Sequence, residues 1–400
     1  MKILMVHNSY LVPGGEDECF FQECRLLQTH GHDVMTYVRD NKIIEKTPLW
    51  KIALQTLWSI EDYQKIRNIL RKEKPNLIHV QNTFPLISPS IFYAAHHEGI
   101  PTVLSLQNYR LYCLNAYFFR DGQICENCIN QSIPWSGIRH RCYRKSLLGS
   151  IVLASLIALH RLLRTYQREV DAFITVTEFA KQKFANHGIP DQKIHVRANF
   201  ITSPPTFSKD RESFFLYIGR LSPEKGIEVL LNAWKQLDHR IELKIAGSGP
   251  LEKQVQEAAM QQSNIEYLGQ QPIQEIYRLL SRAQALIFPS LWYEGMPRTI
   301  VEAFAQGTPV IASKLGAMAT MIEDQVTGLH VEPGNAVSLT NAILWLIDHP
   351  HDLDTMRQAV QKDFQTKYTA MQNYDRLLEI YDAAYKTFHH RSSKIVSRGI

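Results

Sequence analysis

The residues most open to a chemical reading lie in the second half of the chain. Arg220 and Lys225 sit in the run FFLYIGRLSPEKG, where an apolar strand turns toward a helix. Two cations at such a turn, beside the partial positive charge of a helix N-terminus, suit a diphosphate whose negative charge grows as a bond to it breaks. Taken alone they read equally well as solvated surface charges. Farther on, Glu294 and Glu302 stand eight positions apart, the first in a loop and the second inside the helix that Pro297 begins. That spacing is just over two helical turns and allows both carboxylates to face one ligand. Glu302 is set among Ile300, Val301, Ala303, Phe304 and Ala305, where an unpaired carboxylate is costly. A hydroxyl-rich ligand would supply its partners.

Two features of the first half stand outside that pattern. Cys113, Cys125, Cys128 and Cys142 form a C-x2-C pair flanked by eleven residues on one side and thirteen on the other. Four soft ligands in a reducing compartment are the raw material of a structural zinc site, and the alternative is buried or reduced thiols. Between Gln131 and Arg168 there is no Asp or Glu, yet Arg139, Arg141, Arg144, Lys145, Arg161, Arg164 and Arg168 all fall there. The chain carries a net charge of +5, so this one segment holds the whole excess and is the candidate for contact with something anionic. Residues 146–168 read as one long helix with Ser146, Ser150, Arg161, Arg164 and Arg168 on one face, interrupted by Leu153 and Ile157. It suits either an anionic membrane surface or a core helix with a solvated basic edge.

The elements that must position these groups follow from apolar periodicity. Short buried strands are expected at residues 2–7, 33–38, 77–81, 102–107, 172–177 and 194–199, with helical stretches between most of them. A second alternation runs through 215–219, 242–246, 265–268, 285–289, 309–313 and 329–331. Strands alternating with helices predict parallel sheets covered on both faces. The polar run ITSPPTFSKDR over 201–211 predicts the boundary between two halves. The division expected is 1–202, with a cysteine-containing insertion at about 109–145, then 203–370, and a closing helix and basic tail over 371–400 that could cross back to the first half. Four hundred residues support two such domains. At 45% hydrophobic and 21% charged, the chain is neither disordered nor fibrous.

With these residues in view, the chain resembles the retaining GT-B glycosyltransferases of bacteria, family 4. The resemblance rests on PGGEDE, HVQNTFPLISPS, VTEFAKQKF, YIGRLSPEKGIEVLL, IAGSGPLE, YLGQQ, the glutamate pair, EAFAQGTPVIAS and VTGLHVEPGN, in the family's order. It implies an α/β fold of two Rossmann-like domains facing a central cleft, with a nucleotide-diphosphate sugar held mostly by the second. Arg220 and Lys225 match the family's diphosphate-binding residues, and Glu302 the acceptor of ribose hydroxyls. Glu294 matches the carboxylate on the transferred sugar, with the amides of Gly295 and Met296 beside it. Gly14 and Gly15 match the loop that closes over the donor phosphates, and Gly247 belongs to a further glycine turn on the donor side. No catalytic metal is implied. One position departs from the pattern: where the family has a T-x-H-[DN]-type run, this chain has Ser105, Leu106, Gln107 and Asn108. Gln107 can still donate and accept a hydrogen bond but carries no proton as imidazole does.

The expected activity is transfer of a hexose to a glycan or lipid-linked acceptor of a surface polysaccharide, on the cytoplasmic side and in contact with the inner membrane. No nucleic-acid partner is expected. The N-terminus lacks a signal-peptide pattern, and the sequence contains no run of apolar residues long enough to span a bilayer. Two rival readings stand beside it. A nucleotide-dependent oxidoreductase is disfavoured, because the first loop reads PGGEDE and not G-x-G-x-x-G. A sugar-nucleotide-binding relative without full activity is motivated by Gln107.

Overall fold

In the computed structural model the described residues are 1–11, 14–202 and 210–398, with side chains described as far as 391. The proline pair expected to mark the boundary, and Pro13 of the first glycine loop, lie outside them. The chain divides into two compact units, one made of Met1–Phe118, Cys125–Arg197 and Tyr374–Ile400, the other of Phe119–Ile124 and Ala198–Asn373.

The first unit contains a six-stranded sheet built from β1 (Lys2–Ser9), β2 (Asp33–Asp40), β3 (Leu77–Val80), β4 (Thr102–Leu106), β7 (Ala172–Thr175) and β8 (Ile194–Val196). Their order is β2-β1-β3-β4-β7-β8 and every pairing is parallel. Strands β3, β4 and β7 are buried at every position, as apolar runs covered on both faces must be. The second unit holds β9 (Phe214–Ile218), β10 (Glu242–Ala246), β11 (Ile265–Gly269), β12 (Leu286–Phe288), β13 (Val310–Ser313) and β14 (Gly328–Val331). Here the order is β11-β10-β9-β12-β13-β14, again all parallel. This is the doubly wound 3-2-1-4-5-6 arrangement, whereas the first sheet reverses one strand earlier, between β1 and β3. A short hairpin of β5 (Phe119–Arg120) and β6 (Gln123–Ile124) was not foreshadowed by the sequence. It clusters with the second unit, with Phe119 edge-on to Trp292.

From Tyr374 on, the last helix, Ala370–Arg398, completes the first unit. Its Leu377, Ile380, Tyr381 and Ala384 share one buried cluster with Ile3, Met5, Phe20, Leu77, Val103 and Ile174. The Tyr381 hydroxyl and the His79 Nδ1 lie 2.9 Å apart beneath β3. Glu23 ion-pairs with Arg197 there and also meets His79 at 2.9 Å. Three elements distant in sequence are thereby tied through one buried carboxylate.

The segment expected as a single helix over 146–168 is two helices, Leu147–Leu162 and Thr165–Glu169. Arg164 between them takes a left-handed φ of 51°, a conformation with a real cost for a residue with a Cβ. The turn brings the Thr165 hydroxyl to 2.8 Å from His160 Nδ1, while His160 Nε2 lies 3.1 Å from the Leu57 carbonyl. Burial lowers the His160 pKa to about 4 against the opposing pull of that carbonyl, so the ring is a neutral structural link. No helix among the described residues is long and apolar enough to cross a membrane.

Candidate functional site

In the second unit the site grows from the loops after β9 and β12. Strand β9 ends at Ile218, and Pro223–Lys225 forms a single 3-10 turn closed by Gly226 at φ 75°. A Cβ on Gly226 would lie 1.9 Å from the Pro289 carbonyl oxygen, so glycine is required for this loop to lie against the end of β12. The contact is secured by the Leu291 amide, which donates to the Glu224 carbonyl at 2.8 Å. Gly247, after β10, is held as closely: a Cβ there would lie 1.9 Å from the Gly219 carbonyl oxygen.

This approach aims Lys225 at Glu294. The ammonium donates to Glu294 Oε1 at 2.7 Å, and the Ser290 hydroxyl donates to the same oxygen at 2.5 Å. Glu294 is only 6% exposed. The ammonium also lies 5.2 Å from the Trp292 ring centroid and 5.8 Å from that of Phe288, a setting that stabilises a partly desolvated cation. Lys225, Ser290, Glu294 and Met296 line a cavity of about 210 Å³ together with Gly219 and Thr299.

The other expected residues of this half are placed as follows. Glu302, in the helix Arg298–Ala305, is 8% exposed and has a partner within the protein. Arg220 is exposed, and its backbone carbonyl accepts from the Tyr217 hydroxyl at 3.0 Å. Gly295 is half-buried between Glu294 and Met296. Neither Arg220, Gly247, Gly295 nor Glu302 lines the cavity that holds Lys225 and Glu294. Ser290 and Trp292 were missed by sequence reasoning, although both lie in the run PSLWYEGMP that carries Glu294.

In the first unit, Gly14 caps the helix Gly15–Thr29, and a Cβ at Gly14 or Gly15 would meet nothing within 4 Å. The backbone there borders open space, as a close approach by a ligand would need. Asp17 shapes the turn: it accepts from the Gly14 amide at 2.9 Å and the Tyr10 amide at 3.1 Å, and lies 2.9 Å from His7 Nε2. Glu16 accepts from the Tyr10 hydroxyl at 2.6 Å and from the Asn108 amide at 2.8 Å. The glycine turn is thus linked to the residue after Gln107, which itself lines a second and larger cavity.

The four cysteines were expected either to hold a structural zinc or to be buried or reduced thiols. Among the described residues no group of three or more His, Cys, Asp or Glu side chains is arranged to hold a metal ion. The Cys113 thiol donates to Asn115 Oδ1 at 2.9 Å and the Cys128 thiol faces the Pro134 carbonyl at 4.0 Å. Burial, then the neighbouring Cys113, Cys142 and Cys125, pushes the Cys128 thiol up to about 11. Cys125 and Cys142 are half-buried and not in disulfides.

The basic segment divides. Arg139, Arg141, Arg144, Lys145, Arg164 and Arg168 are exposed, but Arg161 turns inward. Its guanidinium donates to the carbonyls of Gln131, Leu111 and Ile129 and stacks over Tyr112 at 5.3 Å. Ser150 is buried as well. The exposed face of the helix is apolar instead, with Leu148 72% and Leu162 82% exposed. The helix Leu49–Leu57 packs against it and adds Trp50, which is 68% exposed.

Comparison with known proteins bears on both halves. Residues 13–203 match the model described as Glycosyltransferase Family 4, and residues 201–363 that described as Glycosyl transferases group 1. The D-rhamnosyltransferase WbpZ of Pseudomonas aeruginosa is 30% identical over 161 residues, covering 39% of this chain and 42% of that protein. The amylovoran biosynthesis glycosyltransferase AmsK of Erwinia amylovora is 27% identical over 228 residues, covering 53% and 56%. The chain thus matches about half the length of these curated relatives. Among solved structures, Anabaena HepE in complex with UDP superposes with a TM-score of 0.66 at 18% identity, covering 96% of this chain and all of that one. The likeness gives the fold, two parallel sheets with flanking helices of the GT-B type.

Proposed function

Because the chain belongs to the glycosyltransferases of group 1 and family 4, we propose that it moves a hexose, with retention of anomeric configuration, from a nucleoside diphosphate sugar to a glycan or lipid-linked acceptor of a surface polysaccharide. The observation that carries this reading is the half-buried contact of Lys225 with Glu294 in the cavity after β9 and β12. A cation stored on a carboxylate is ready to meet a leaving diphosphate. The carboxylate it releases can take a hydroxyl of the transferred sugar.

Arg220, exposed in the same loop, adds charge for the diphosphate, and Glu302 is assigned to the ribose. The amides of Gly295 and Met296 flank the sugar, Gly247 stands at the donor-side turn, and Gly14 and Gly15 offer N–H groups to the phosphates. With lysine and arginine supplying the positive charge, the reaction needs no metal. Gln107 takes the position of the family histidine and orients the sugar by hydrogen bonding. AmsK, named for amylovoran biosynthesis, supports a polysaccharide acceptor, WbpZ, named for rhamnosyl transfer, supports transfer of a sugar, and HepE with UDP supports a nucleotide donor.

The test is incubation with UDP-, GDP-, ADP- and dTDP-hexoses, following nucleoside diphosphate release and the anomeric proton of the product by NMR. At least one donor gives release and an anomer of unchanged configuration. Release with inversion overturns the retaining mechanism, and no binding of any donor overturns the assignment. Tight donor binding without turnover favours the impaired relative suggested by Gln107.

We further place the first unit on the cytoplasmic surface of an anionic membrane. The apolar side chains Trp50, Leu148 and Ile151 are exposed, and so are Arg139, Arg141, Arg144 and Lys145 in the segment leading into the Leu147–Leu162 helix, the composition of an interfacial contact. The protein floats with phosphatidylglycerol vesicles and not with phosphatidylcholine ones. Replacing Arg144 and Lys145 by glutamate shifts it to the unbound fraction. Equal flotation of wild type and variant removes this placement.

A further inference from the structure

The hairpin of β5 and β6 lies in the first half of the sequence but belongs to the second unit. Phe119 pairs with Ile124 and Arg120 with Gln123. Between them, Asp121 and Gly122 both take positive φ, 53° and 79°, the two-residue turn for which Asp-Gly is suited because both positions need the left-handed region. The tip is therefore set by its own sequence. Two strands of two residues have no core of their own, and an isolated hairpin is marginal in water, so packing must hold this one. Asp121, Gly122, Gln123 and Ile124 are exposed, whereas Phe119 is half-buried. Its ring stands edge-on to Trp292, with centroids 6.3 Å apart and planes at 75°, a favourable aromatic pairing.

Trp292 in turn faces the cation of the site. The Lys225 ammonium lies 5.2 Å from the Trp292 centroid and 5.8 Å from that of Phe288, while donating to Glu294 at 2.7 Å. These neighbours act differently when a diphosphate arrives. Glu294 carries the same sign as the diphosphate and competes with it for the ammonium. An aromatic ring does not compete: it keeps water from the cation without neutralising it, so less hydration has to be shed when a phosphate oxygen comes in. Phe288 is fixed as the last residue of β12 and lines the cavity. Trp292 lies outside helix and strand, so its ring needs packing partners to stay over the ammonium, and Phe119 is one of them.

We propose that Phe119 and Trp292 are positioning residues of the donor site: the hairpin steadies the indole, and the indole holds the Lys225 ammonium partly desolvated for the diphosphate. The inference rests on the glycosyltransferase reading for the word donor, and on the ring geometry alone for the relay from Phe119 to Lys225. It gives residues 119–124, which sequence reasoning assigned to an insertion of the first domain, a task at the diphosphate of the second.

The test is calorimetry of UDP, GDP, ADP and dTDP on the full chain, with melting temperature as the check on folding. For each nucleotide that the wild type binds, Trp292→Leu weakens binding roughly tenfold, the scale of a partly desolvated cation–π contact, whereas Trp292→Phe, which keeps a π-face, stays within about threefold. An indole that only fills space gives equal losses for the two. Phe119→Ala weakens binding about fivefold, and Phe119→Tyr, which keeps the edge-on ring, recovers most of it. In the Trp292→Leu background Phe119→Ala has no further effect, because the relay is already cut. The hairpin tip is exposed, so Phe119→Ala melts within a few degrees of wild type. Should Trp292→Leu not fold, the contrast between Phe119→Ala and Phe119→Tyr decides the matter. Equal affinity in wild type and all folded variants, equal loss for Trp292→Leu and Trp292→Phe, or additive loss in the double variant overturns the relay and leaves the glycosyltransferase reading in place. A wild type that binds none of the nucleotides removes that reading, and the relay with it.

Discussion

Lys225→Met lowers kcat/KM for sugar transfer by about a thousandfold, the scale set by removing a preorganised charge from a developing anion. The variant also leaves Glu294 buried with the Ser290 hydroxyl and no cation at 2.7 Å, so its melting temperature falls. Glu294→Gln keeps the shape and loses the charge, giving a smaller loss, about a hundredfold, with nucleoside diphosphate affinity little changed. The double variant separates structure from chemistry: it recovers the melting temperature of the wild type, because no unpaired charge is left, but not its activity. Steady-state kinetics and thermal melts on the three variants are sufficient. Activity of Lys225→Met within a few fold of wild type would show that the ammonium serves only to hold Glu294.

Arg197→Met destabilises the first unit by about 3–5 kcal/mol at pH 7, the usual cost of stranding one member of a buried ion pair. Glu23 and Arg197 are both almost wholly enclosed. Burial alone would raise the Glu23 pKa, but Arg197 and then His79 overcome it and hold the carboxyl at about 2. The sign follows from linkage. With its folded pKa below the unfolded value, Glu23 contributes stability that is full above the ordinary carboxylate range and lost as pH falls toward about 2. In the variant burial is no longer outweighed by the guanidinium, Glu23 takes up a proton more readily, and the gap from wild type narrows on acidification. Urea unfolding at pH 7 and at mildly acidic pH measures both quantities. A difference below about 1 kcal/mol at neutral pH would mean that His79 alone neutralises Glu23.

The strands were legible because parallel strands covered on both faces read as short apolar runs, as with LIHV at β3 and VIAS at β13. Their spatial order was not, since β1 and β9 look alike in sequence and only the pairings show that the two sheets reverse at different places. The break at Arg164 was hidden because neither glycine nor proline marks it. Charge periodicity misassigned Arg161, since a wheel cannot distinguish an arginine facing lipid from one satisfied by Gln131, Leu111 and Ile129. Lys225 and Glu294 were identified through their types and a family pattern, but their direct contact was not. It depends on Gly226 letting the β9 loop lie against Pro289, a fact of backbone packing that spacing does not encode.

The closing helix has a bearing on biogenesis. Ile3, Met5 and Phe20 leave the ribosome long before Leu377, Ile380 and Tyr381, yet all six share one buried cluster. The second unit, drawn from Phe119–Ile124 and Ala198–Asn373, has all its residues before then. The order of completion therefore inverts the order of translation, and the nascent N-terminal sheet must wait with part of its apolar surface uncovered, the stage at which chaperones have most to hold.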